Sequence, residues 1–264
     1  MSVIAVDGAD DDRLADFTAV SDPDLARTRG LFIAEGRLVV RRLLTESSLT
    51  TRAVLVTPTA LKAVEDAVAT KPPVPVFVVP QDVMDRVAGF HIHRGCLAAG
   101  ERPPAGDWRA RVAAAQRAVV LERVGDADNV GAIFRSAAAL GADTVLMGPS
   151  CADPLYRKAI RTSMGAALTL PFAGAEPWPS ILADLVQQGW AVAALTPAAD
   201  AMTLREFSSA ARQRRVAVVL GHEGDGLTEA ARTTCAYRVR IPISASVDSL
   251  NVATAAAIAL YELR

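Results

Sequence analysis

Lysine is almost missing from this 264-residue chain: of 28 basic residues only Lys62, Lys71 and Lys158 are lysines. Arginine suits planar, bidentate contacts to phosphate, but Arg and Ala usage this heavy reads first as genome composition. A basic excess is also absent, because 29 acidic residues leave a net charge of −1. No global field therefore points to nucleic acid, which leaves open a local patch on a neutral protein. Cysteine is scarce: Cys96, Cys151 and Cys235 are far apart and odd in number. They supply neither a disulfide framework nor metal spacing, so a reducing cytoplasm is the expectation. No apolar run reaches membrane-spanning length, and the start is acidic (Asp7, Asp10, Asp11, Asp12, Asp16) where a secretion signal is basic and then apolar. Aromatics make up 5% of the chain, and Trp108, Trp178 and Trp190 are read as packing residues rather than base-stacking ones. No G-x-G-x-x-G follows the first strand of either half, which argues against a dinucleotide-binding enzyme. His91-Ile-His93 has strand spacing but no third ligand, so no metal is expected.

What is present is a globular pattern, 51% hydrophobic and 22% charged, long enough for one large domain or two modest ones. Residues 1–24 read as a loosely ordered acidic lead with a short helix around Arg13–Phe17. Next come a strand ending at Glu35-Gly36 and an amphipathic helix with Leu38, Val39 and Leu43 on one side and Arg41 and Arg42 on the other. A strand at Arg52–Thr57, a helix at Leu61–Ala69, a strand at Val74–Val79 and a helix at Asp82–Ala88 complete a small α/β unit. Glu101-Arg-Pro-Pro-Ala-Gly106 disfavours both helix and strand and is the expected linker, dividing the chain into domains 1–105 and 106–264.

The second domain reads as strands at Arg117–Glu122, Asp143–Met147, Trp190–Leu195, Arg215–Leu220 and Tyr237–Ile241, separated by helices. Continuous apolar strands between helices imply a parallel sheet covered on both faces. Asp128 is the expected N-cap of a helix whose stripe is Val130, Ile133, Phe134 and Ala137, with Arg135 off that stripe. Arg157-Lys-Ala-Ile-Arg161 is a short basic helix, either a solvated face or a phosphate contact. The last stretch, Arg240–Leu263, reads as a strand end, a polar loop and an Ala-rich helix capped by Ser249 or Asp248, with Leu250, Ala253, Ala257 and Leu260 as its stripe.

Three segments stand at ends of these strands: Asn129-Val-Gly-Ala-Ile-Phe-Arg135, Leu220-Gly-His-Glu-Gly-Asp-Gly-Leu227, and Ile241-Pro-Ile with Ser249-Leu-Asn-Val252. In order and spacing they resemble the three motifs of the SpoU (TrmH-like) branch of the SPOUT RNA methyltransferases, over roughly residues 115–264. Arg29-Gly-Leu-Phe-Ile-Ala-Glu-Gly36 resembles the L30e-like RNA-binding domain often fused ahead of that catalytic domain. The resemblance implies a deep trefoil knot, an exception to the rule against knots, and a homodimer through the C-terminal domain. It implies S-adenosylmethionine as cofactor and methyl transfer to a ribose 2′-hydroxyl of rRNA or tRNA, with rRNA favoured by the leading domain. Carried over by residue, Thr196, Leu220, Gly221, Ile241 and Leu250 would hold the cofactor. Asn129, Arg135, Glu223, Ser249 and Asn251 would form the catalytic set, with Arg135 as base or as a positioner of the ribose and its 3′ phosphate. A guanidinium resists deprotonation, which favours positioning. Glu223 has a bland alternative, charge at a helix N-terminus. Arg29, Arg41, Arg157 and Arg161 are the expected RNA contacts. Two departures from the family pattern are Ala245, where the family usually has Gly, and Ala253, where it often has Ser. Ala245 keeps a second reading open, a non-catalytic RNA-binding dimer that retains the fold.

Overall fold

The computed structural model describes residues 2–18, 21–70, 73–92, 95–244 and 246–264. Two compact units result, Met1–Pro104 with Leu155–Thr169, and Ala105–Pro154 with Leu170–Arg264. His93 and Ala245 lie outside the described residues. Among those described, no helix is long and apolar enough to cross a membrane, and no cluster of three or more His, Cys, Asp or Glu could hold a metal ion.

The first unit is built on five strands, β1 (Ser2–Ala5), β2 (Leu31–Glu35), β3 (Thr51–Val56), β4 (Pro75–Val78) and β5 (Cys96–Glu101), in the order β1-β4-β3-β5-β2. The pairs β1–β4 and β3–β4 are parallel, whereas β5 runs antiparallel to both β2 and β3. Small residues in Cys96-Leu-Ala-Ala-Gly-Glu101 give β5 little strand propensity, and sequence reading missed it. Its burial comes from its place between two strands, where Gly100 leaves room for Phe32 directly opposite.

The acidic lead is not loose. Its β1 pairs with β4, a 3-10 helix spans Asp12–Phe17 and an α-helix spans Asp22–Arg29. The acidic side chains are used locally: Asp11 accepts from the Arg13 backbone N–H, and Asp24 binds Ser21 and Arg27. Buried Leu14, Phe17 and Leu25 anchor the lead to the core. Helices at Arg37–Thr45, Pro58–Ala69 and Gln81–Ala88 follow; Val39, Val40, Leu43 and Leu44 are buried, while Leu38 is exposed.

The break after Pro104 falls inside the expected linker. Leu155–Thr169, assigned from chain position to the second domain, instead belongs to the first unit. Its helix Arg157–Thr162 packs on β2. Asp22 Oδ2 accepts from the Arg157 backbone N–H at 2.8 Å, Arg42 Nη1 donates to the Met164 carbonyl at 2.8 Å, and buried Ser47 donates to the Leu168 carbonyl. Such partners are invisible in a linear pattern.

The second unit carries β6 (Arg117–Leu121), β7 (Thr144–Met147), β8 (Phe172–Gly174), β9 (Ala191–Leu195), β10 (Met202–Thr203), β11 (Val216–Leu220) and β12 (Tyr237–Arg240). All seven are parallel, in the order β10-β12-β9-β11-β6-β7-β8. The central strands β6, β9 and β11 are almost wholly buried, as their continuous Val/Ala/Leu runs imply. The two- and three-residue edge strands β10 and β8, and the helices Trp108–Val112 and Leu204–Ala210, are too short for the sequence pattern and were missed. Trp108 and Trp190 lie in the core with Trp178 packed against it, the packing role expected of them.

Helix Ala127–Ala139 and the last helix, Val252–Glu262, pack on each other. The last helix begins later than expected, so Leu250 precedes it. Its buried face is Val252, Ala253, Ala256, Ala259 and Leu260, small side chains that let two backbones approach. Asn251 caps it, accepting from Ala253 and Thr254 N–H at 2.9 and 3.2 Å, in place of the expected Ser249 or Asp248. Helix Ala127–Ala139 is likewise capped by Asp126, not Asp128.

Candidate active site

Because the strands are parallel, their C-terminal ends share one edge of the sheet, and the loops leaving them line a common crevice. There Leu195–Ala198 after β9, Leu220–Leu227 after β11, and Ile241, Ile243, Ser249, Leu250, Val252 and Ala255 after β12 surround a cavity of about 410 Å³. That volume falls within the range of small-molecule sites. One wall is apolar, from Leu195, Leu220, Ile241, Ile243 and Leu250; the loop Gly221–Gly226 brings backbone N–H groups and polar side chains to another. Thr196, Leu220, Gly221, Ile241 and Leu250, all assigned to the cofactor from sequence, line this cavity. Gly221 admits no side chain: a Cβ there would stand 2.4 Å from the Gly226 carbonyl carbon and the Leu227 nitrogen. Thr196 N–H donates to the Val239 carbonyl at 2.9 Å, and its hydroxyl accepts from Ala198 N–H at 3.3 Å, which fixes the β9 exit.

The expected catalytic residues divide. Glu223 and Ser249 line the cavity. Asn129 and Asn251 join them through hydrogen bonds: Asn129 Nδ2 donates to Glu223 Oε1 at 2.7 Å, and Asn251 Nδ2 donates to Asn129 Oδ1 at 2.9 Å. Because Asn251 Oδ1 is already committed to the last helix's N-terminus, its amide must point its NH2 at Asn129. A single polar chain thus ties all three sequence motifs together. Glu223 accepts from Asn129 and lies in the loop before the Thr228 cap, so its role is not the helix cap entertained from sequence. Arg135 is on the exposed face of helix Ala127–Ala139 and has no hydrogen-bond or ion-pair partner among the described residues. It is outside the residues lining the cavity.

Sequence reasoning overlooked three groups. Glu122, fully buried at the β6 exit, accepts from Trp178 Nε1 at 2.7 Å, the Thr228 hydroxyl at 2.7 Å and Thr228 N–H at 2.8 Å. It clamps the helix following the glycine loop, and a lone Glu at a strand end gives no linear signal of that. Arg123, at φ 58°, reaches Asp225 at 2.9 Å and ties the loops after β6 and β11. His222 folds its ring over its own loop. Burial pushes Cys151 up to about 11 and Cys235 up to about 12, so neither offers a thiolate near neutral pH.

In the first unit, three of the four arginines expected at RNA already face carboxylates. Arg29 lies 3.7 Å from Asp16, Arg157 lies 3.2 Å from Asp22, and Arg41 binds both Asp66 oxygens. The Arg41 guanidinium holds the Asp66 carboxyl down at about 2. Arg161 is exposed, with no such partner among the described residues.

Residues 116–261 match the model of the SpoU rRNA Methylase family. An uncharacterised tRNA/rRNA methyltransferase of Mycobacterium bovis is 46% identical over 257 residues, covering 96% of this chain and 88% of that protein. The SpoU methyltransferase AviRb of Streptomyces viridochromogenes, solved in complex with AdoMet, is 25% identical and aligns over 96% of this chain and 97% of its own, with a TM-score of 0.81. A solved RNA 2′-O ribose methyltransferase is also 25% identical, covers 98% of each chain and gives a TM-score of 0.76.

Proposed function

The chain belongs to the SpoU rRNA Methylase family, and on that premise we propose that it transfers a methyl group from S-adenosylmethionine to a ribose 2′-hydroxyl of structured RNA, with rRNA the favoured substrate. The observation that carries the reading is the chain Glu223–Asn129–Asn251, which gathers three segments distant in sequence at the rim of one cavity. The cavity fits the cofactor by its own features: an apolar wall for a nucleoside, a glycine that leaves backbone exposed, and polar side chains opposite. Bound there, S-adenosylmethionine supplies a methyl group on a sulfonium, a strong electrophile. Leu220, Gly221, Ile241 and Leu250 would hold it, with Thr196 on the adenine side. Ser249 and Asn251 face the ribose, and Asn129 and Glu223 fix Asn251. Arg135 would grip the ribose and its 3′ phosphate and lend positive charge to the oxygen as the hydroxyl proton passes to solvent. It need not surrender its own proton, since a guanidinium stays charged.

The first unit is proposed to bind RNA, with Arg161 and the flanking arginines at phosphates. The threaded trefoil knot belongs to the same proposal, as do a cytoplasmic location and a homodimer through the second unit. What supports the dimer is the exposed apolar set Val247, Ile258 and Tyr261 on and before the last helix.

The test is purified protein, labelled S-adenosylmethionine and total RNA, with modified nucleotides mapped and sedimentation run at the assay concentration. Label in ribose, lost on Arg135→Ala while cofactor binding persists, is the expected outcome. Label in a base, or full activity of the Arg135→Ala protein, overturns the assignment.

A further inference from the structure

The polar wall of the cavity is a loop that closes on itself. His222 N–H donates to the Gly226 carbonyl at 3.2 Å, and Gly226 N–H donates back to the His222 carbonyl at 3.0 Å. Inside this closure the imidazole turns onto its own backbone. Gly224 N–H and Asp225 N–H both donate to His222 Nδ1, at 3.0 and 3.2 Å. The ring lies so near that a Cβ on Gly224 would stand 3.4 Å from Nδ1 and Cε1. Backbone N–H groups only donate, so Nδ1 is the unprotonated nitrogen and the ring's proton sits on Nε2.

We propose that His222 is a positioning residue for the cofactor loop: its Nδ1 holds Gly224 and Asp225 in the cavity wall, and cofactor affinity falls when that acceptor is removed. This rests on reading the cavity as the S-adenosylmethionine site. Without an acceptor at this place the two backbone N–H groups would lose their partner inside the loop closure, and the loop would no longer be held in one shape. The other charged groups around the loop each have a partner: Glu223 binds Asn129, Asp225 binds Arg123, and Arg232, on the helix behind it, binds Glu229. The facing walls, Leu195–Ala198, Ile241, Ile243, Ser249 and Leu250, carry no titratable side chain.

Two readouts on the full chain test this. The first needs no cofactor: the Gly224 and Asp225 amides should exchange with solvent faster in His222→Ala than in the wild type, and His222→Asn should restore their protection. An Asn side-chain oxygen accepts from N–H groups two and three residues on. The second is calorimetry with S-adenosylhomocysteine. His222→Ala should bind about tenfold more weakly than the wild type, roughly the loss of one net hydrogen bond. His222→Asn should restore that affinity. Amides that exchange equally fast in the wild type and in His222→Ala, or a His222→Ala protein with wild-type affinity, overturn the proposal. Failure of the wild type to bind S-adenosylhomocysteine sinks the cofactor reading instead, and the amide exchange then decides the role of His222 in its loop.

Discussion

At the residue scale, the site is held by side chains that each bind more than one group. Asn251 uses its carbonyl on a helix terminus and its amide on Asn129; Glu122 uses both oxygens on three donors while fully buried. The first of these was legible as a motif residue, the second was not, because a buried carboxylate is recognised only by what surrounds it. Removing Glu122 strands the Trp178 indole N–H and two donors of Thr228 in the interior. Glu122→Ala should therefore cost about 3 kcal/mol, read as a lower urea midpoint at unchanged slope. A change below roughly 1 kcal/mol would mean that water replaces the carboxylate and that Glu122 is no clamp.

At the element scale, the last helix is where structure and chemistry meet, since its cap residue is also a proposed member of the catalytic set. Two substitutions separate the roles. Asn251→Asp keeps an oxygen for the Ala253 and Thr254 N–H groups but cannot donate to Asn129, so the helix should hold while methyl transfer falls sharply. Asn251→Ala removes the cap as well and should cost about 1 kcal/mol of stability. Thermal unfolding paired with a transfer assay checks both, and an Asn251→Asp protein with normal turnover would detach the Asn129 bond from function. The helix itself was expected, but its start and buried face moved by a residue or two, because Asn, not the preceding Ser or Asp, took the cap. The same shift occurs at helix Ala127–Ala139, where Asp126 supplants Asp128. Several acceptors in a row fit the first turn equally well on paper, and the path of the incoming chain chooses among them.

At the scale of the whole molecule, the division into units does not follow the chain. Leu155–Thr169 lies between β7 and β8 in sequence yet forms part of the first unit. Asp22 anchors it by accepting the Arg157 N–H at the start of its helix, with the guanidinium beside it. Asp22→Ala should destabilise the full chain by about 1–2 kcal/mol and open new proteolytic cuts within 155–169. Unchanged stability and an intact segment would show that packing on β2 suffices without the acid.

Hydrophobic runs and their spacing were enough to read the parallel sheet of the second unit and the linker near Pro104, while the residues expected at the cavity came from the resemblance of three motifs to a known family. Those features are local: buried parallel strands need continuous apolar residues, and a loop that must expose backbone needs glycine, as at Gly221. The interior strand β5, the ordering of the acidic lead, the transfer of Leu155–Thr169 to the first unit and the clamp at Glu122 could not be read that way. Each depends on a partner far along the chain, and a residue's burial or ionic partner is a property of the pair that folding brings together.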